Sequence, residues 1–176
     1  MIMSSCLKTQ LNTWRLIIKI YTAASFVEQK RIREMKEQLI QQGHTVLSTW
    51  LEEAVRPDGM SEEQFETKMA IKDLQEVSAA DCVILDTASP SKTSGKMIEV
   101  GFALAKHKLL YVVGQIIPHA IFLHLADEHF ADWNELFEYF KENHKTSKTF
   151  VEQLTPAYCI QEVDPKFVAG FKHKGI

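Results

Sequence analysis

The chain has 176 residues, of which 45% are apolar and 24% are charged, with a formal net charge of −3. This length fits one domain with a sizeable core, and the mild acidity offers no basic face for nucleic acid. The longest apolar runs, residues 16–24 and 109–122, are interrupted by polar residues and are too short to cross a membrane. The amino terminus lacks the apolar segment and small residues of a secretory signal.

The three cysteines, Cys6, Cys82 and Cys159, are widely spaced and fit neither a disulfide framework nor a zinc motif. The histidines are scattered, and none forms the i, i+4 pair of a zinc-binding helix. The sequence therefore predicts a protein of the reducing cytoplasm with no metal site.

The amino-terminal part predicts a loose leader over residues 1–14 and then a β-α-β unit. Residues 16–21 are β-branched and aromatic, as in a strand, and they run into small residues ending at Ser25. A helix is expected over about 27–42, with Gly43 as its stop, and a second strand over 44–50. Such a unit implies a parallel sheet with a right-handed crossover.

The middle of the chain repeats this alternation. Ser61 and Gln64 have the spacing of a capping box, so a helix should begin there and run to about residue 77. Residues 82–85 form a continuous apolar run typical of a buried parallel strand. A hydroxyl-rich loop follows over 89–96, and helical spacing of apolar residues begins at Met97.

A further strand over 109–113 and a helix over 133–140 complete the predicted core. The alternation predicts one three-layer, doubly wound α/β domain over residues 15–144, with a mostly parallel sheet of about five strands, flavodoxin-like or Rossmann-like. Residues 145–176 are expected to be an extension that packs on this domain or on a neighbouring subunit.

Ligands of such sheets bind beyond the carboxyl ends of the strands. By this interpretation residues 21–25, 86–95 and 114–118 meet there, and Glu99, predicted on the first turn of its helix, faces the same crevice. The helix dipole would stabilise Glu99 as an anion, which suits a nucleophile. Cleavage of a glycosidic bond needs a second carboxyl group, and the candidates are Asp73, Asp81 and Asp86.

Three segments together, IYTAASF, KDLQEVSAADCVIL and SGKMIEVGFALAKHK, resemble the nucleoside 2-deoxyribosyltransferase family. That family includes the 2'-deoxynucleoside 5'-phosphate N-hydrolases. The resemblance covers roughly residues 16–141. Its most specific part is the pattern G-x-x-x-E-x-G-x-A-x-A, which the chain matches at Gly95, Glu99, Gly101, Ala103 and Ala105.

The resemblance implies roles for several residues. Glu99 matches the nucleophile that forms a deoxyribosyl-enzyme ester, and Asp73 matches the acid that assists departure of the base. Tyr21 matches an aromatic residue that lines the site, although it could also be an ordinary core residue. Asp81 matches a frequent acidic position and is expected to have a structural or supporting role.

One position departs from the transferases of the family, which commonly have an aspartate six residues before the nucleophile. The 5'-phosphate hydrolases have a serine there, and this chain has Thr93. Hydroxyls, a lysine and backbone N–H groups at a helix start would hold a phosphate that an aspartate would repel. The substrate-binding residues expected on this basis are Tyr21, Ser25, Thr93, Ser94, Gly95 and Lys96.

The resemblance thus implies an enzyme that cleaves the N-glycosidic bond of 2'-deoxynucleoside 5'-monophosphates or 2'-deoxynucleosides through Glu99. It would need no cofactor, bind neither nucleic acid nor membrane, and form a homo-oligomer, either a dimer or a larger assembly. Two alternatives stay open. One is a transferase that exchanges bases on free deoxynucleosides, and the other is a non-catalytic nucleotide-binding or sensor module.

Overall fold

The computed structural model describes residues 17–52, 55–89 and 94–143, with the side chains of Ser94 and Asn143 excepted. The strands are β1 (Lys19–Ala23), β2 (Thr45–Val46), β3 (Cys82–Asp86), β4 (Leu109–Val113) and β5 (Glu128–Phe130). The α-helices are α1 (Gln29–Gln41), α2 (Glu62–Ala79), α3 (Ser94–Ala105) and α4 (Trp133–Asn143). Short 3-10 helices cover Phe26–Glu28, Thr49–Leu51 and Ile121–Leu125. The predicted leader, residues 1–14, and the extension, residues 145–176, lie outside the described residues.

The five strands form one sheet in the order β2-β1-β3-β4-β5, and every neighbouring pair is parallel. This is the flavodoxin-like order of a doubly wound domain. Every residue of β3 and β4 is buried, as expected for central strands that helices cover on both faces. The predicted fold class is confirmed.

The helices lie on two faces of this sheet. The crossover from β1 to β2 runs towards one edge of the sheet, and those from β2 to β3 and from β3 to β4 run towards the other edge. Because such crossovers are right-handed, α1 lies on one face and both α2 and α3 lie on the other, and α2 packs against α3. Asp86, at the end of β3, accepts hydrogen bonds from Arg31 of α1 and Trp133 of α4. These two helices therefore share a face.

Local signals fix the helix ends. The side chain of Ser61 accepts a hydrogen bond from Gln64 N, and Gln64 Oε1 accepts one from Ser61 N, so the predicted capping box is present. Gly43 has a φ of 88° just after α1, a conformation that glycine adopts without strain. The apolar stripe of α4 is buried as its spacing predicts.

Among the boundaries that differ from the prediction, two affect the candidate site. The second strand is limited to Thr45–Val46, because the chain then turns into the 3-10 helix Thr49–Leu51. Helix α3 begins at Ser94 and not near Met97, so Glu99 is its sixth residue and not part of its first turn. In the described ranges, none of the helices is long and apolar enough to span a bilayer.

Candidate active site

The candidate site lies on the α2–α3 face of the sheet, near the carboxyl end of β1. Tyr21 is fully buried on β1, and its hydroxyl donates a 2.7 Å hydrogen bond to Glu99 Oε1 on α3. The two residues are 78 positions apart in sequence. The structure therefore brings together two of the predicted site residues.

The side chain of Glu99 is half-buried. Burial raises the pKa of Glu99 from 4.5 to about 7, the hydrogen bond from Tyr21 opposes this rise, and the charges of Asp73 and Glu76 add to it. The expectation that the helix dipole stabilises the Glu99 carboxylate in the first turn is wrong. Glu99 lies beyond the first turn of α3, and its pKa is raised. A carboxyl group that titrates near neutrality is a stronger nucleophile when ionised than an ordinary glutamate.

The pKa of the Tyr21 hydroxyl is also raised, first by burial and then by the negative charges of Glu99 and Asp73. Tyr21 is therefore a neutral hydrogen-bond donor at physiological pH. It holds Glu99 in one orientation and transfers no proton to it.

Helix α2 contributes two carboxylates, Asp73 and Glu76, which lie one turn apart. Both are half-buried, and the charge of each raises the pKa of Glu99. Asp73 is thus on the same side of the sheet as the predicted nucleophile. Glu76 has no place in the sequence-based prediction, although its i, i+3 spacing from Asp73 on a helix could have indicated it.

Asp86, one of the three candidate acids, is on the wrong face of the sheet for this role. Tyr21 pairs with Val83 in the sheet register, and side chains alternate between faces along β3, so Asp86 points away from Glu99. It is 2% exposed and binds Arg31 through two hydrogen bonds of 3.0 and 2.8 Å. Trp133 Nε1 donates a third at 2.6 Å. Asp86 joins α1, β3 and α4 and is not a proton donor to substrate.

Asp81 lies at the opposite end of β3 from the crevice. Its Oδ2 accepts a 2.9 Å hydrogen bond from the backbone N of Lys19 at the start of β1. This contact connects the two central strands, and it gives Asp81 no access to Glu99.

The remaining predicted binding residues lie around the starts of the helices. Ser25 is 1% exposed at the N-cap of the first 3-10 helix, and Gly95 is exposed in the first turn of α3. Lys96 is 4% exposed, and its Nζ donates to the carbonyl oxygen of Ser89 at 3.5 Å. Thr93 and the side chain of Ser94 lie outside the described residues.

The loops after β3 and β4 approach each other closely beside the crevice. Gly114 has a φ of 108°, and a Cβ there would lie 2.7 Å from Thr87 Oγ1. Thr87 in turn donates to Val113 O through its backbone N at 2.9 Å and its hydroxyl at 3.0 Å. A glycine is therefore required where these two loops meet. Within the described residues, no group of three or more His, Cys, Asp and Glu side chains is arranged to hold a metal ion.

The chain is similar to several solved structures. It shares 23% identity and a TM-score of 0.60 with a 2-deoxyribosyltransferase from Bacillus psychrosaccharolyticus, over 72% of this chain and 95% of that chain. It shares 14% identity and a TM-score of 0.52 with a conserved protein from Enterococcus faecalis V583, over 73% of this chain and 99% of that chain. With the CMP N-glycosidase of Clostridium botulinum it shares 18% identity and a TM-score of 0.48, over 70% of this chain and 98% of that chain. The likeness to the first two shows a shared fold, and a comparison with curated protein sequences found no match.

The family is shown by the sequence itself. The model of the nucleoside 2-deoxyribosyltransferase family matches residues 20–119, which is more than half of the chain and includes Tyr21, Asp73 and Glu99. The chain therefore belongs to the nucleoside 2-deoxyribosyltransferase family. It is an enzyme of the N-glycosidase and deoxyribosyltransferase type, and its family acts on small nucleoside substrates.

Proposed function

We propose that the protein cleaves the N-glycosidic bond of 2'-deoxynucleoside 5'-monophosphates, or of 2'-deoxynucleosides, with Glu99 as the nucleophile. The observation that carries this proposal is the half-buried Glu99 carboxyl group, held by the Tyr21 hydroxyl at 2.7 Å in a chain that belongs to this family. A single carboxylate with a fixed orientation is what attack on an anomeric carbon requires.

The reaction would proceed in two displacements. A carboxylate oxygen of Glu99 forms a bond to C1' of the sugar while the bond from C1' to the base nitrogen breaks. The base takes its electron pair with it and receives a proton from Asp73, either directly or through water. Water then forms a bond to C1' while the ester bond from C1' to Glu99 breaks, and the proton of the water goes to the Asp73 carboxylate, so that both residues are regenerated. If a second base attacks in place of water, the result is base exchange.

The environment of Lys96 favours a substrate that carries a 5'-phosphate. An ammonium group has three N–H donors, and among the described residues the Lys96 Nζ has the single acceptor Ser89 O at 3.5 Å. A buried cation is costly unless it is paired, and Lys96 lies in the first turn of α3, where backbone N–H groups also favour an anion. Thr93, the residue that motivated this preference, lies outside the described residues.

The proposal also keeps two expectations from the sequence. One is a cytoplasmic location, which the free, buried thiol of Cys82 supports. The other is assembly as a homo-oligomer. The mechanism assigns no step to a metal or redox cofactor.

The test incubates the purified protein with deoxynucleosides and with their monophosphates, with and without an added acceptor base, and follows free and exchanged bases by chromatography. Glu99→Gln should lose activity at least about a thousandfold, since it removes the nucleophile. Lys96→Met should raise the KM for monophosphates more than that for nucleosides. Lys30→Met is its control, because Lys30 is exposed on α1, on the other face of the sheet.

Each part of the proposal can fail separately. Full activity of Glu99→Gln would contradict the mechanism. Reaction of free nucleosides with inert monophosphates would contradict the phosphate preference. Exchange with little hydrolysis would identify a transferase, and saturable binding of nucleotide without release of base would identify a binding module.

A further inference from the structure

Glu76 on α2 makes two hydrogen bonds to a single residue. Its Oε2 accepts from Thr49 N at 3.0 Å, and its Oε1 accepts from Thr49 Oγ1 at 2.5 Å. Thr49 begins the 3-10 helix that follows the edge strand β2, 27 positions earlier in the chain. Glu76 therefore fastens α2 to the segment that leaves β2.

The same segment is fastened to the end of β1. Ser48 Oγ accepts a 2.6 Å hydrogen bond from Thr22 N, and Trp50 Nε1 donates a 2.9 Å hydrogen bond to Thr22 O. Ser48 is fully buried and Trp50 nearly so. Thr22 directly follows Tyr21, so a continuous series of contacts connects Glu76 with the residue that holds Glu99.

Resting on the proposed function, we propose that Glu76 is a positioning residue for the Glu99 nucleophile. Its contacts with Thr49 hold α2, and with it Asp73, in a fixed place relative to Tyr21. Its carboxylate adds a second negative charge behind the crevice. The transition state of glycosidic cleavage resembles an oxocarbenium ion, and carboxylates fixed around it stabilise the positive charge on the sugar.

Three titratable groups act on Glu99 from the elements around it. Tyr21 comes from β1, and Asp73 and Glu76 come from α2. Among the groups that act on the pKa of Glu99, Asp73 and Glu76 raise it by their charge, whereas the Tyr21 hydrogen bond lowers it. Removal of the Glu76 charge should therefore let Glu99 ionise at lower pH.

The first experiment measures the titration of the Glu99 carboxyl carbon by ¹³C NMR in the wild-type protein and in Glu76→Gln. The midpoint should fall by about half a pH unit in Glu76→Gln, as expected for the loss of one like charge that is partly screened. Glu66→Gln is the matched control, because Glu66 is exposed near the start of the same helix, and its midpoint should equal that of the wild type. Coincident titrations of Glu76→Gln and wild type would overturn the proposal.

The second experiment tests the contact separately from the charge. Thr49→Val removes the hydroxyl that Glu76 accepts from and leaves the charge in place. It should lower kcat for base release about tenfold while the acidic limb of the pH profile stays where it is. Unchanged kcat would show that the contact positions nothing.

Thermal unfolding followed by circular dichroism establishes that each variant is folded. If Glu76→Gln does not fold, the positioning role is tested with Glu76→Asp and Thr49→Val. Aspartate keeps the charge, but its side chain is one methylene too short to keep both hydrogen bonds to Thr49. A tenfold loss of kcat with an unmoved limb in Glu76→Asp supports the positioning role, and full activity overturns it. Failure of the proposed function is a different result, because Glu99→Gln would then be as active as the wild type, whereas the NMR midpoints do not depend on turnover.

Discussion

Replacement of Glu99 by glutamine should stabilise the protein at alkaline pH while it removes the proposed nucleophile. Since the pKa of Glu99 is raised from 4.5 to about 7, the folded protein keeps a proton that the unfolded chain releases between these values. The contribution of this bound proton to the free energy of unfolding is fully present below about pH 4.5 and is lost as the pH rises through about 7. A difference of about 2.5 pH units corresponds to about 3 kcal/mol, an upper limit because water partly reaches the crevice.

Glutamine has nearly the same shape as glutamic acid, and its carbonyl oxygen can still accept the hydrogen bond from Tyr21. Urea unfolding of Glu99→Gln and wild type, followed by tryptophan fluorescence, gives the free energy of unfolding at about pH 4 and about pH 8.5. The variant should exceed the wild type by up to about 3 kcal/mol at the higher pH, and the two should agree at the lower pH. Glu66→Gln should show no such pH-dependent difference. A gain of equal size at both pH values, or a more stable wild type at pH 8.5, would refute the reasoning.

Three further substitutions test the site and its support. Tyr21→Phe removes the hydrogen bond that lowers the pKa of Glu99, so the acidic limb of kcat/KM should move up by about one pH unit, and a downward move would contradict this. Gly114→Ala should lower the free energy of unfolding by about 1–3 kcal/mol in chemical denaturation, because its φ is 108° and the new Cβ would lie 2.7 Å from a threonine hydroxyl. Trp133→Phe should cost about 1–3 kcal/mol by the same measurement, since it leaves the buried Asp86 without a hydrogen bond of 2.6 Å; an unchanged stability would show that this contact is dispensable.

Much of the fold follows from patterns within short segments of sequence. The apolar run of β3, the capping box of Ser61 and Gln64, and the apolar stripe of α4 each depend on neighbours within a few residues. The predicted second strand is too long because its end depends on residues that are distant in sequence. Thr22 binds Ser48 and Glu76 binds Thr49, and these contacts end the strand.

The start of α3 shows how a small error of boundary changes a chemical conclusion. Apolar spacing placed the helix start near Met97, whereas it begins at Ser94. Glu99 is therefore beyond the first turn, where the dipole acts on a carboxylate most strongly. Burial, which depends on what α2 and β1 place around Glu99, decides its protonation instead.

The sequence by itself determined the doubly wound fold, the family and the choice of Glu99 as the residue to test. The periodicity of strands and helices and the pattern G-x-x-x-E-x-G-x-A-x-A each depend only on residues that are close together in the chain. Only the tertiary structure decided which carboxyl groups accompany Glu99. The register of β1 and β3 turns Asp86 to the opposite face, and the packing of α2 on α3 brings Asp73 and Glu76 to the same side. The physical reason is that electrostatic coupling and burial depend on distance in space, and these residues are brought together only when the sheet forms.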